Sequence, residues 1–113
     1  MPILGSFPLL QGGGGGSSAT ATSTADLEVS QTWVKPRFIK FVWVKSANKP
    51  YRIELYRKTN QGWELLDSKV QNESKVVFWS FPNGLYCPLG IMAKGIQVES
   101  GDTLTLKFEG VFA

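Results

Sequence analysis

From Asp26 onward, apolar and polar residues alternate with a period of two, and Gly, Pro, Asn and Asp interrupt the alternation at short, regular intervals. No segment of helical period competes with it. A chain patterned this way can bury its apolar side chains only by pairing strands and covering one face of the resulting sheet. The expected fold is therefore all-β, an antiparallel β-sandwich of about seven or eight strands, jelly-roll-like in its order.

The strands read off as follows. Residues 27–34 place Leu27, Val29 and Gln31 on one side, with Trp33 following in phase. Residues 37–45 (RFIKFVWVK) are almost continuously apolar, which predicts a central strand covered on both faces, with Lys40 needing an exit to solvent or a partner. After a turn at Asn48-Lys49-Pro50, residues 51–57 alternate, with Tyr51, Ile53 and Leu55 opposite Arg52, Glu54 and Tyr56. Thr59-Asn60-Gln61-Gly62 predicts a hairpin loop, with residues 63–70 returning as its partner strand. Asn72-Glu73-Ser74 turns again before the aromatic-rich strand 75–81, which Pro82-Asn83-Gly84 is expected to end. Residues 85–92 look irregular, broken by Pro88 and Gly90. A short strand at 95–99, a Ser100-Gly101-Asp102 turn and a last strand at 103–112 close the domain, with Leu104, Leu106 and Phe108 facing one way.

Charge divides the chain. Residues 1–25 hold no Lys, Arg, Asp or Glu, so all 12 basic and 9 acidic side chains lie beyond them. This predicts an uncharged arm at 1–25 and a sandwich domain at 26–113. Within the arm, residues 1–11 (MPILGSFPLLQ) form an apolar strip carrying Ile3, Leu4, Phe7, Leu9 and Leu10. Pro2 and Pro8 favour an extended form. The strip lacks the basic start of a signal peptide and is too short to span a bilayer as a helix, so no membrane association is expected. Residues 12–25 are all Gly, Ser, Ala or Thr, and predict a flexible tether. An expression linker is the alternative reading.

The chemistry is defined by what is missing. Histidine is absent and Cys87 is the single cysteine, which removes His-dependent triads, imidazole zinc sites and an internal disulfide framework. Glu54 and Glu64 could form a glycosidase-like carboxylate pair, but among Arg52, Arg57 and Lys58 they read as cross-strand ion pairs. Cys87, with no base beside it, reads as a buried, inert thiol. Asn83, Glu99 and Asp102 are too scattered for a calcium loop, and the Gly12–Gly16 run lacks the Lys-Ser/Thr that completes a phosphate loop. Neither an enzymatic activity nor a cofactor or metal is expected. A net charge of +3 is too small to imply nucleic acid.

Residues 95–108, GIQVESGDTLTLKF, resemble the closing strands of small jelly-roll virion proteins of the phage decoration and fibre type. Similar segments occur in tumour-necrosis-factor-like trimers and carbohydrate-binding modules. The resemblance implies a virion location and a homo-oligomer, with a trimer favoured. The expected function is a capsid decoration, cement or connector subunit. It would dock onto other virion proteins through Ile3, Leu4, Phe7, Leu9 and Leu10. The alternative is a carbohydrate-binding module or lectin-like receptor-binding domain that stacks a glycan on Trp63 or Tyr56.

Overall fold

In the computed structural model, residues 14–48, 51–71 and 75–113 are described. They form eight strands: β1 (Gly14–Thr20), β2 (Ala25–Thr32), β3 (Arg37–Ser46), β4 (Arg52–Thr59), β5 (Gly62–Val70), β6 (Val76–Cys87), β7 (Gly90–Val98) and β8 (Thr103–Phe112). Two antiparallel four-stranded sheets face each other, in the orders β1-β8-β3-β6 and β2-β7-β4-β5. The chain changes sheet at every connection except the β4–β5 hairpin. This is the jelly-roll order, and the expected β-sandwich is what the chain forms.

The core lies between the sheets. Ile39, Val42 and Val44 of β3 and Leu104, Leu106 and Phe108 of β8 meet Ile53 and Leu55 of β4 and Ile91 and Ala93 of β7, all buried. The period-two reading of β4 and β8 thus holds residue by residue. The β4–β5 hairpin closes where predicted, with Thr59 opposite Gly62, which takes a φ of +111° that a glycine adopts without strain. The turn before β8 likewise rests on Gly101, at φ +87°.

Strand β3 departs from its expected environment. It is central, but one of its faces is open: Phe38, Phe41 and Lys45 are exposed and Trp43 is half-buried. The cause is a β-bulge at Lys40. Ile39 pairs with Gly110 and Phe41 with Glu109, so Lys40 is an extra residue with no opposite number on β8. One inserted residue reverses the phase of the strand. Ile39 before the bulge and Val42 and Val44 after it all point inward, and Phe38, Phe41 and Trp43 all point outward. An apolar run that looks two-sided is a one-sided strand whose phase changes once. The Lys40 ammonium finds its partner in the carbonyl of Pro82, at 3.3 Å.

The expected turn at Pro82-Asn83-Gly84 is instead a protrusion within β6. Phe41 pairs with Ser80 and Ile39 with Leu85, so four residues of β6 stand opposite Lys40 alone. A proline is tolerated there because β6 is a sheet edge and Pro82 owes no ladder hydrogen bond. The segment expected to be irregular after it completes β6 and starts β7, the reversal falling at Pro88-Leu89.

The boundary between arm and domain also moves. From Gly14 onward the segment read as a tether belongs to the sandwich. Gly14–Thr20 pairs in register with Thr103–Glu109 as the edge strand β1, and Ala21 is buried. Composition hides this because an edge strand can be held by its backbone ladder while its side chains contribute little. Small residues are in fact required: a Cβ on Gly15 would lie 2.6 Å from the buried Phe108 ring. Gln31 donates to the Gly16 carbonyl at 2.8 Å and Ser17 to the Ser30 carbonyl at 3.3 Å, tying β1 to β2 across the edge of the sandwich. The strip at 1–11 lies outside the described residues, as do the turn residues 49–50 and 72–74.

Candidate functional site

The two outer faces of the sandwich differ in chemistry. On the β2-β7-β4-β5 sheet, charged groups pair with one another. Lys94 lies 3.8 Å from Asp26 and 3.9 Å from Glu28, and Arg57 lies 2.7 Å from Glu64. The β1-β8-β3-β6 sheet instead exposes a row of rings, because the Lys40 bulge turns Phe38, Phe41 and Trp43 outward together. Phe78 of β6 stands directly opposite Trp43. Phe41 and Phe78 stack with centroids 5.9 Å apart and planes 18° from parallel, and Trp43 tilts against Phe78 at 5.5 Å. Further along, Phe38 packs on Tyr86 at 5.5 Å, beside the exposed Val111. Rings pinned by neighbouring rings lose little entropy when a ligand arrives.

Beside Trp43 the face sinks into a shallow trough of about 540 Å³, lined by Trp43, Lys45, Val76, Thr105, Lys107 and Glu109. Strand pairing sets this inventory: Trp43 stands opposite Lys107, Lys45 opposite Thr105 and Val76. The trough continues past Gly15 and Gly16 at one end and toward Ser46, Ala47 and Thr103 at the other. Its β1 side is low because the outward positions there include Gly16 and Ser18. Among the described residues, the side chains of Lys45, Lys107 and Glu109 make no ion pair or hydrogen bond with the protein. One half-buried indole, two ammonium groups and one carboxylate therefore face solvent together with their hydrogen-bonding capacity uncommitted, while the Thr105 hydroxyl shares a hydrogen bond with that of Ser18 at 3.0 Å.

The residues singled out in the sequence lie elsewhere. Trp63 is 38% exposed, on the opposite sheet, with the Lys58 ammonium 5.7 Å from its ring centre. Tyr56 is half-buried, and its hydroxyl donates to Glu54 at 2.7 Å. That bond, then burial, pushes its pKa up to about 12. Both lie on the sheet opposite the trough. Ile3, Leu4, Phe7, Leu9 and Leu10 are outside the described residues. Glu64 takes the ion pair expected of it, and Glu54 serves Tyr56 instead. Cys87 is fully buried, and burial pushes its thiol up to about 12. Among the described residues no group of three metal-ligating side chains comes together, and no helix is long and apolar enough to cross a membrane. Trp43 was hidden because its exposure depends on the phase change at Lys40, which period-two reading does not contain.

No family model matches the sequence, and no curated protein does. Among solved structures, the family 32 carbohydrate-binding module of C. perfringens NanJ, in complex with galactose, is similar to this chain. It has a TM-score of 0.57 and 12% identity, over 83% of this chain and 93% of that one. At that identity the likeness shows the fold: a β-sandwich.

Proposed function

We propose that this chain is a non-enzymatic carbohydrate-binding module that seats a saccharide in the trough beside Trp43. The observation that carries the reading is an aromatic ring lining an open trough whose ammonium and carboxylate groups are unpaired. A sugar ring has an apolar C–H face suited to lying on an aromatic ring, and a rim of hydroxyls that need donors and acceptors. Trp43 offers the first. Lys45, Lys107, Glu109 and Thr105 offer the second. The fold neighbour's galactose makes galactosides the first ligands to try.

A glycan array followed by calorimetry tests this. Saccharide binding is expected, with loss of about tenfold or more in Trp43→Ala and no change in Trp63→Ala. Binding that survives Trp43→Ala but is lost in Trp63→Ala would move the site to the other sheet.

A second reading is favoured by the row Phe38, Tyr86 and Val111, which continues the apolar surface beyond the trough. It is a structural subunit, virion or otherwise, that docks on neighbouring proteins or on copies of itself through this end of the face. Concentration-dependent sedimentation that Phe38→Ser abolishes would favour it.

A further inference from the structure

Resting on the carbohydrate reading, we infer that the ligand is an anionic glycan, one bearing carboxylate or sulfate groups, which Lys45 and Lys107 select. The basis is where the charge lies. The strands of the aromatic sheet carry four cations, Arg37, Lys40, Lys45 and Lys107, against the single anion Glu109. The strands of the other sheet carry five of each sign, and the connections three of each. The whole net charge of +3 is thus assigned to the sheet that holds the trough.

Four of these five groups have distinct roles. Arg37 is committed to packing, its guanidinium 4.1 Å from the Trp33 ring centre and 5.2 Å from that of Phe112. Lys40 is spent on Pro82. Lys45 and Lys107 remain, one beyond Trp43 along β3 and the other directly across from it on β8. Two unpaired ammonium groups bracketing one ring are placed to meet an acidic substituent on a sugar stacked there. Charge-assisted hydrogen bonds are the stronger class, and neither lysine must break a protein contact to form one. Glu109 argues against the other polyanion that stacks on rings, a single-stranded nucleic acid. A carboxylate repels both polyanions, but a glycan offsets this with hydroxyls that donate to it, whereas a phosphodiester backbone of DNA has none to offer.

The test uses the full chain on an array of neutral galactosides, glucosides and mannosides with their sulfated, sialylated and uronic counterparts. Calorimetry follows on lactose, 3′-sulfolactose and 3′-sialyllactose, with an oligothymidylate as the nucleic-acid probe. Anionic members are expected to bind about tenfold tighter than their neutral cores at about 50 mM NaCl, and to lose most of that advantage at about 500 mM. The double variant Lys45→Gln/Lys107→Gln should bring the ratio of anionic to neutral affinity from about ten to about one, the ratio being the readout because both lysines also serve the neutral core's hydroxyls. Arg52→Gln, on the opposite sheet, where the guanidinium donates to Ser68, should change nothing. Neutral and anionic glycans binding equally, with no effect of the double variant, would overturn the charge inference and leave the carbohydrate reading standing. No saccharide binding at all would remove both. Oligothymidylate binding tighter than any glycan, and lost in the double variant, would replace the glycan with nucleic acid.

Discussion

Asp102 shows how one buried side chain holds two connections together. Burial by itself would raise its pKa, but donors from Thr103, Tyr51, Asn48 and Ala47 outweigh that effect and hold the carboxyl below the usual range. Its Oδ1 accepts from the backbone N–H of Thr103 at 2.7 Å, Asn48 at 3.0 Å and Ala47 at 3.1 Å. Removing the carboxylate leaves buried donors unpaired, so Asp102→Ala should cost about 3 kcal/mol in a denaturant titration. Because the folded pKa is the depressed one, the contribution is complete above the unfolded value of about 3.9 and is lost as pH falls through the folded value. Thermal midpoints should therefore drop below about pH 4, less steeply in Asp102→Asn than in the natural sequence. Cys87 gives a simpler expectation. Buried, and with its pKa at about 12, it should resist alkylation at neutral pH until the protein is unfolded, as mass spectrometry would show.

Among the elements, those whose pattern is one-dimensional were legible in the sequence. The β4–β5 hairpin and β8 follow from alternation and a glycine turn alone. Leu106→Ala, fully buried on β8, should cost about 2–5 kcal/mol. What sequence could not supply was pairing. The register of β3 against β8 makes Lys40 a bulge, the edge position of β6 lets Pro82-Asn83-Gly84 protrude without ending the strand, and the free edge of β8 recruits a Gly/Ser/Ala/Thr segment as β1. Each is decided by a neighbour far away in the chain. The candidate site inherits that dependence, since Trp43, Phe78 and Lys107 become neighbours only through pairing. Two substitutions probe these elements. Gly15→Val would drive a side chain into the Phe108 ring and should destabilise by about 1–3 kcal/mol. Deleting Lys40 would remove the extra residue and join Ile39–Gly110 to Phe41–Glu109 in one unbroken register, leaving Phe38, Phe41 and Trp43 outward and Ile39, Val42 and Val44 inward. The shortened chain should keep a cooperative fold with its near-ultraviolet circular dichroism, whereas a second residue inserted after Phe41 should abolish it by turning Val42 and Val44 out of the core.

At the scale of the whole molecule, the sandwich has one face whose charges pair with each other and one face whose rings and ammonium groups are left for something else. This asymmetry has little to do with holding the sheets together, because the inner faces supply the core. Lys45→Gln/Lys107→Gln should accordingly shift the thermal midpoint by only a few degrees, about 1 kcal/mol or less, and Trp43→Ala, which loses contacts with Phe41 and Phe78, should cost about 1–3 kcal/mol without unfolding the domain. The asymmetry also gives the molecule a direction. With its excess charge assigned to one sheet and none to the other, the domain carries an electric dipole across its thickness. Near a negatively charged surface it would turn before it touches, so that encounters begin with the aromatic face forward and the association rate exceeds what so small a net charge would give a uniform sphere. The Lys40 bulge, which brings the rings to that face, thereby determines which part of the molecule arrives first.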